Sequence, residues 1–237
     1  MSSLFQKCLA LTGSFETSHQ APECFGVVTG NFDDQGLSFG ALQFNVGQGT
    51  LRPIILGLLN HRALVEPILK ENVFVFIDLA STKPEVAMAA ALSMQNNGNI
   101  SPTYKEMFKK LGALQVCIDL QMTEVKGYWL RAQKMLNQYF LKSERAMALF
   151  FDIAVQNGSI RLKCANKILD RFNDLVDEND NEVARMKIIA EERALASTYY
   201  RDVLARKMCI ATGKGVVHGI KYDLDELGLT LAEADLG

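Results

Sequence analysis

The chain has 237 residues, 49% of them hydrophobic and 22% charged, which supports a sizeable core and excludes wholesale disorder. With 25 Lys and Arg against 27 Asp and Glu, its formal net charge is −2, which excludes a global basic field for nucleic acid or anionic lipid. Five cysteines without a Cys-x-x-Cys pair argue against a zinc site and a disulfide scaffold. Cys8, Cys24, Cys117, Cys164 and Cys209 read as buried thiols, with a Cys8–Cys24 bridge as the alternative.

Residues 3–18 carry Leu4, Cys8, Leu11 and Phe15 at helical spacing, so a helix is predicted there, with Glu16 near its end. Residues 19–35 contain Pro22, Gly26, Gly30 and Asn31 and read as loop with turns. Residues 36–46 read as a short strand or hairpin through Phe39, Leu42, Phe44 and Val46. Strand parity would put Gln43 and Asn45 on the face of Leu37 and Phe39, and Ser38 on the other. Thr50 is placed to cap a helix that carries Pro53 in its first turn.

Helical periodicity then covers 51–59, 61–70, 84–95, 102–111, 113–136, 143–156, 160–175, 180–212 and 223–228. Asn96-Asn97-Gly98-Asn99 and Gln156-Asn157-Gly158-Ser159 read as helix stops, and residues 177–182 as an acidic loop. The apolar run at 73–80 is too short to span a bilayer. The first residues lack the pattern of a secretory signal, so synthesis in the cytoplasm without a cleaved leader is expected. The expected fold class is α+β, mostly α-helical, with a small sheet near the N-terminus. It is read as a single domain over 1–237. A β-containing lobe of about 19–50 and a helical lobe of about 51–237 plus the first helix would flank a cleft.

Two carboxylates stand out. Glu16 ends an apolar helical run, where partial desolvation would favour a proton donor. Asp33 opens a glycine-punctuated stretch rich in amides and hydroxyls, which would keep it ionised. A carboxyl pair in unlike settings is what glycosidic hydrolysis requires: an acid for the leaving oxygen and a base for water. Ser38, Gln43 and Asn45 could contact sugar or water, with local turn bonding as the alternative. Asp34 competes with Asp33 for the same role.

These segments resemble the lysozyme-like superfamily, and within it the family 46 chitosanases. That family carries its acid as Glu-Asn/Thr-Ser after a first long helix, and its partner in Asp-Gly-Arg-Gly-Tyr-Thr-x-Gly. Here Phe15-Glu16-Thr17-Ser18 and Asp33-Asp34-Gln35-Gly36-Leu37-Ser38-Phe39-Gly40 take those places, departing from the pattern at Asp34, Gln35 and Leu37. The resemblance implies Glu16 as general acid, Asp33 as general base, Thr50 near the water and inversion at the anomeric carbon. It also implies that Asp152, in the apolar helix over 150–158, joins arginines of a late helix. Arg201 is the expected partner, with Arg193 or Arg206 beside it, in a chiefly structural role.

No cofactor and no metal is implied. The expected substrate is a polysaccharide, the glycan of bacterial peptidoglycan, with chitosan as the alternative and a non-catalytic wall-binding module as the third reading. Leaderless relatives of this kind resemble phage lysins and secreted effectors, which implies action in the periplasm or cell wall and an immunity or delivery protein as partner. Neither nucleic-acid binding nor membrane insertion is expected. His19 and His218 read chiefly as structural hydrogen-bonders, and Trp129 as core.

Overall fold

A computed structural model describes residues 4–31, 34–176 and 181–236. The chain divides into a central unit, Glu16–Val125, and a terminal unit made of Met1–Phe15 with Lys126–Gly237. The helical span expected over 51–237 is thus shared between the two. Helix α1 (Leu4–Thr17) buries Leu4, Cys8, Leu11 and Phe15, the positions its periodicity marked. No helix among the described residues is long and apolar enough to cross a membrane.

In the central unit a 3-10 turn (Glu23–Gly26) leads into β1 (Val28–Thr29), inside the stretch expected to be loop. β2 (Ser38–Phe39) and β3 (Phe44–Asn45) complete a three-stranded antiparallel sheet in the order β1-β2-β3. The hairpin turns between Phe39 and Phe44, with Gly40 at φ 82° and Gln43 at φ 51°. Parity counted through an uninterrupted strand therefore fails. The register pairs Val28 with Phe39 and Phe39 with Phe44, and these three are buried. It pairs Thr29 with Ser38 and Ser38 with Asn45, so those three share the opposite face.

Behind the sheet come α2 (Arg52–Leu59), α3 (Arg62–Leu69), α4 (Val73–Leu79), α5 (Pro84–Ser93), α6 (Pro102–Gly112) and α7 (Gln115–Glu124). Prolines stand in the first turn of α2, α5 and α6, where the missing N–H costs nothing. Leu51, not Thr50, is the residue before α2, and its side chain caps nothing. Helix α4 was not anticipated: Val-Phe-Val-Phe-Ile has no clear period, and it buries Phe76 and Leu79 while Phe74 stays exposed. The stop expected at 96–99 is a hairpin, β4 (Gln95–Asn96) and β5 (Asn99–Ile100). Its Asn97-Gly98 pair takes positive φ, as a two-residue hairpin turn requires. The core gathers on Phe108, whose ring lies 4.8 Å from Phe39 and 5.2 Å from Phe76. Each such buried side chain contributes about 1.5–3 kcal/mol.

The terminal unit packs α1 with α8 (Lys126–Gln138), α9 (Glu144–Asn157), α10 (Leu162–Asn173), α11 (Glu182–Leu195) and α12 (Tyr200–Thr212). Helix α9 is buried without interruption from Arg145 to Ala154, as a helix apolar on most sides must be. Ser143 caps it by accepting from the Ala146 N–H, and Asn181 caps α11 through the Ala184 N–H. The single helix expected over 113–136 breaks at Val125 into α7 and α8. The one expected over 180–212 breaks at 196–199, where the Ser197 hydroxyl accepts from the Tyr199 N–H. No helix forms at 223–228. The hairpin β6 (Lys214–Val217) and β7 (Ile220–Asp223) runs into turns there. Of the acidic stretch, residues 177–180 lie outside the described ones. Glu182 accepts from the Lys142 and Ser143 N–H groups.

Gln121 ties the irregular half of the central unit to its helices. The residue is fully buried; its Nε2 donates to the Phe25 carbonyl at 3.0 Å and its Oε1 accepts from the Ala41 N–H at 2.9 Å. Gln121→Leu keeps the volume and orphans both backbone groups. It should cost about 2–4 kcal/mol, read as a lower urea midpoint with an unchanged slope; parent-like stability would remove this clamp from the fold.

Candidate active site

Glu16 emerges in the last turn of α1 and is exposed, one residue after the buried Phe15. The desolvated setting expected for it is not present in the chain alone, because the apolar stripe of α1 stops at Phe15. Ser18, at φ 57°, ends the helix, and the His19 ring nitrogen Nδ1 lies 2.8 Å from the Thr17 carbonyl. A carbonyl only accepts, so Nδ1 carries the proton there.

Asp33 lies outside the described residues, but both ends of its loop are described. The Gly36 N–H donates to the Asn31 side-chain oxygen at 2.9 Å. Gln95 reaches across from the end of α5: its Oε1 accepts from the Asn31 N–H at 2.8 Å and its Nε2 donates to the Gly36 carbonyl at 2.9 Å. Gly30 meets the β4–β5 turn so closely that an added Cβ would lie 1.8 Å from the Gly98 carbonyl oxygen. Asn31 and Gly36 are therefore held to one another through one amide, and Gly30 packs directly on the β4–β5 turn. Asp34, on this loop, is exposed at φ 61°.

The polar candidates divide by register. Ser38 and Asn45 stand side by side with Thr29 on the polar face of the sheet, contrary to the opposition that parity implied. Gln43 is engaged in the turn: it accepts from the Thr29 hydroxyl at 2.7 Å and donates to the Gly40 carbonyl at 2.9 Å. The Thr50 hydroxyl accepts from the Asn45 N–H at 2.9 Å, and the Asn45 side chain accepts from the Gln48 N–H at 2.8 Å. Turn chemistry thus occupies Gln43, Thr50 and the side-chain oxygen of Asn45.

In the terminal unit Asp152 is wholly buried. Arg206 donates to Oδ1 at 2.5 Å, Lys207 to Oδ2 at 2.6 Å and the Thr12 hydroxyl to Oδ1 at 3.3 Å. Arg201, the expected partner, is exposed. It precedes Arg206 by five residues, about 140° around the helix. The face that Val203 and Ile210 bury is the face that carries Arg206 and Lys207, so spacing alone could have selected them. Lys207 also donates to Gln156, Gln156 to Asp202, and Asp202 contacts His218, which gives His218 a structural partner. Trp129 stacks on Phe5 at 4.6 Å in the core. All five cysteines are buried and free, so no Cys8–Cys24 bridge forms, and burial pushes the Cys24 and Cys117 thiols up to about 12. Among the described residues no His, Cys, Asp and Glu group is placed to hold a metal.

No protein-family model matches the sequence, and no curated protein matches it significantly. Solved structures do match. A native chitosanase from Bacillus subtilis aligns with a TM-score of 0.54 at 16% identity, covering 97% of this chain and 92% of that one. A glutamate-to-alanine mutant chitosanase from the same organism, complexed with 6 GlcN, aligns at 0.55 and 14% identity over the same shares. A Gynuella sunshinyii GH46 chitosanase in complex with chitotetraose aligns at 0.52 and 13% identity, covering 94% of this chain and 98% of that one. The chain has the fold of these chitosanases. It is the fold that the residues around Glu16 and Asp33 implied.

Burial by itself raises the Asp152 carboxyl, but attraction and hydrogen bonds from Arg206 and Lys207 outweigh it and hold the group at about 2, against 3.8 unperturbed. Burial draws the Lys207 ammonium down to about 8, with Asp152 opposing, so it is charged at neutral pH. A carboxyl lowered on folding contributes stability above its unfolded pKa and loses it as pH falls toward the folded one. Asp152 should therefore contribute about 2–3 kcal/mol above pH ~4 that is lost as pH falls through ~2. Asp152→Asn should cost about 3–5 kcal/mol at neutral pH and flatten that acid limb; urea unfolding with the parent's pH slope retained would contradict this.

Proposed function

We propose that the chain is a glycoside hydrolase that cuts the glycan strands of bacterial peptidoglycan, with Glu16 as general acid and Asp33 as general base. The hydrolase reading is carried by one observation: a fold shared over 97% of the chain with a chitosanase, and over 94% with one that holds chitotetraose. The position of Glu16 supports its role, since an exposed carboxyl on a rigid helix end can reach a glycosidic oxygen. The likeness of the segment over 33–40 to the family's aspartate motif supports the role of Asp33. Glu16 would protonate the leaving oxygen while Asp33 takes a proton from water attacking the opposite face, with inversion. Ser38 would hydrogen-bond the strand from the polar face of the sheet. The chain would act in the periplasm or cell wall after export or lysis, with an immunity or delivery protein as its partner.

Chitosan is the second reading, favoured by what the similar solved proteins bind. Reducing ends released from purified sacculi and from chitosan compare the two directly. Glu16→Gln should lower turnover by about 10²–10⁴ with the helical circular dichroism intact. Asp33→Asn should act likewise and Asp34→Asn should not, and proton NMR of the first product should show the inverted anomer. Full turnover by the Glu16 variant would remove it as the acid.

A further inference from the structure

Beside the end of α1 the central unit carries a groove of about 300 Å³ whose lining includes His19, Glu23, Val27, Val28, Lys105 and Lys109. Its floor is fixed by backbone contact. An added Cβ on Gly26 would lie 3.0 Å from the Lys109 Cα, and one on Gly112 would lie 2.2 Å from the Gly26 Cα. The 3-10 turn therefore rests directly on α6, and the groove is formed before any ligand arrives. His19, in its lining, follows Glu16 by three residues in the chain.

The charge on its wall is unusual for this unit. Residues 16–125 hold seven Lys and Arg against eleven Asp and Glu. Lys105 and Lys109 nevertheless stand one helical turn apart on the exposed face of α6, a like-charge spacing that destabilises an isolated helix. Among the described residues no carboxylate pairs with either. Lys110, next along the same helix, pairs with Glu106 at 3.4 Å. Two unneutralised ammonium groups over a preformed groove provide the counter-charge for an anion. Glu23, in the same lining, adds an acceptor for a hydroxyl or amide N–H. A carboxylate flanked by such donors, as on an acidic sugar or its peptide, fits this set better than a chain of free amines.

We infer that this groove binds a carboxylate borne by the glycan strand, with Lys105 and Lys109 as its counter-charges, so that the chain selects an anionic strand over polycationic chitosan. This rests on the hydrolase reading only in taking a glycan strand as the ligand. The experiment uses the full chain with Glu16→Gln, which should hold the strand without cutting it. Co-sedimentation is measured with native sacculi, with sacculi whose carboxyls have been amidated, and with insoluble chitosan, with and without K105Q/K109Q. Binding to native sacculi should weaken about ten-fold on amidation and about ten-fold on substitution of the lysines. On amidated sacculi the lysine substitution should have no further effect. Equal binding to native and amidated sacculi, or tighter binding to chitosan than to native sacculi, would overturn the inference. The two readings fail separately. Carboxylate-dependent binding by a chain that never releases reducing ends sinks hydrolysis alone. Cleavage of sacculi that ignores amidation and both lysines sinks the groove alone.

Discussion

A segment with almost no regular structure must still satisfy its backbone polar groups, and this constraint governs the central unit. Between Gly26 and Leu51 the strands are two residues each, and turn bonds such as the Gly40 N–H to the Val27 carbonyl extend their pairing. Side-chain amides add partners that the backbone does not supply. Gln121 holds the 3-10 turn and the β2–β3 turn to α7, and Gln95 holds both ends of the 31–36 loop to α5. Gln121 could not be replaced by an apolar side chain of equal size without leaving the buried Ala41 N–H and Phe25 C=O unmet.

The terminal unit solves a different problem. Helix α9 is buried along ten consecutive residues, and a charged aspartate in such surroundings is tolerated only with close counter-charges. Arg206 and Lys207 supply them from adjacent positions of α12, and Gln156 and Asp202 carry the bonding outward to His218. Replacing the cluster with apolar side chains would be less costly than breaking it, so its value lies in fixing how α9 and α12 pack. The Arg206 guanidinium also lies 5.3 Å from the Phe15 ring, which makes the last buried turn of α1 part of the same arrangement.

A glycan hydrolase must distinguish strands whose sugars differ mainly in charge and acylation. Hydroxyls are common to all of them, so on the proposed reading the polar row of Thr29, Ser38 and Asn45 would position a strand but discriminate little. The lysine pair on α6 would discriminate, since a like-charge meeting with free amines is repulsive while a carboxylate is attracted.

The residue order by itself determined which faces would be buried and where most helices lie. Leu4, Cys8, Leu11 and Phe15 announce α1, and prolines announce the starts of α2, α5 and α6, because these signals act within a few residues. The same local reach explains the failures: a one-residue break at Val125 preserves the period, and a strand that folds back after Phe39 inverts the parity of everything beyond it. That this face of α12 meets Asp152, which amides clamp the loops and which lysines face a groove were decided only by tertiary structure. Those pairings join residues from 54 to 96 positions apart, and no local pattern records a contact made through space.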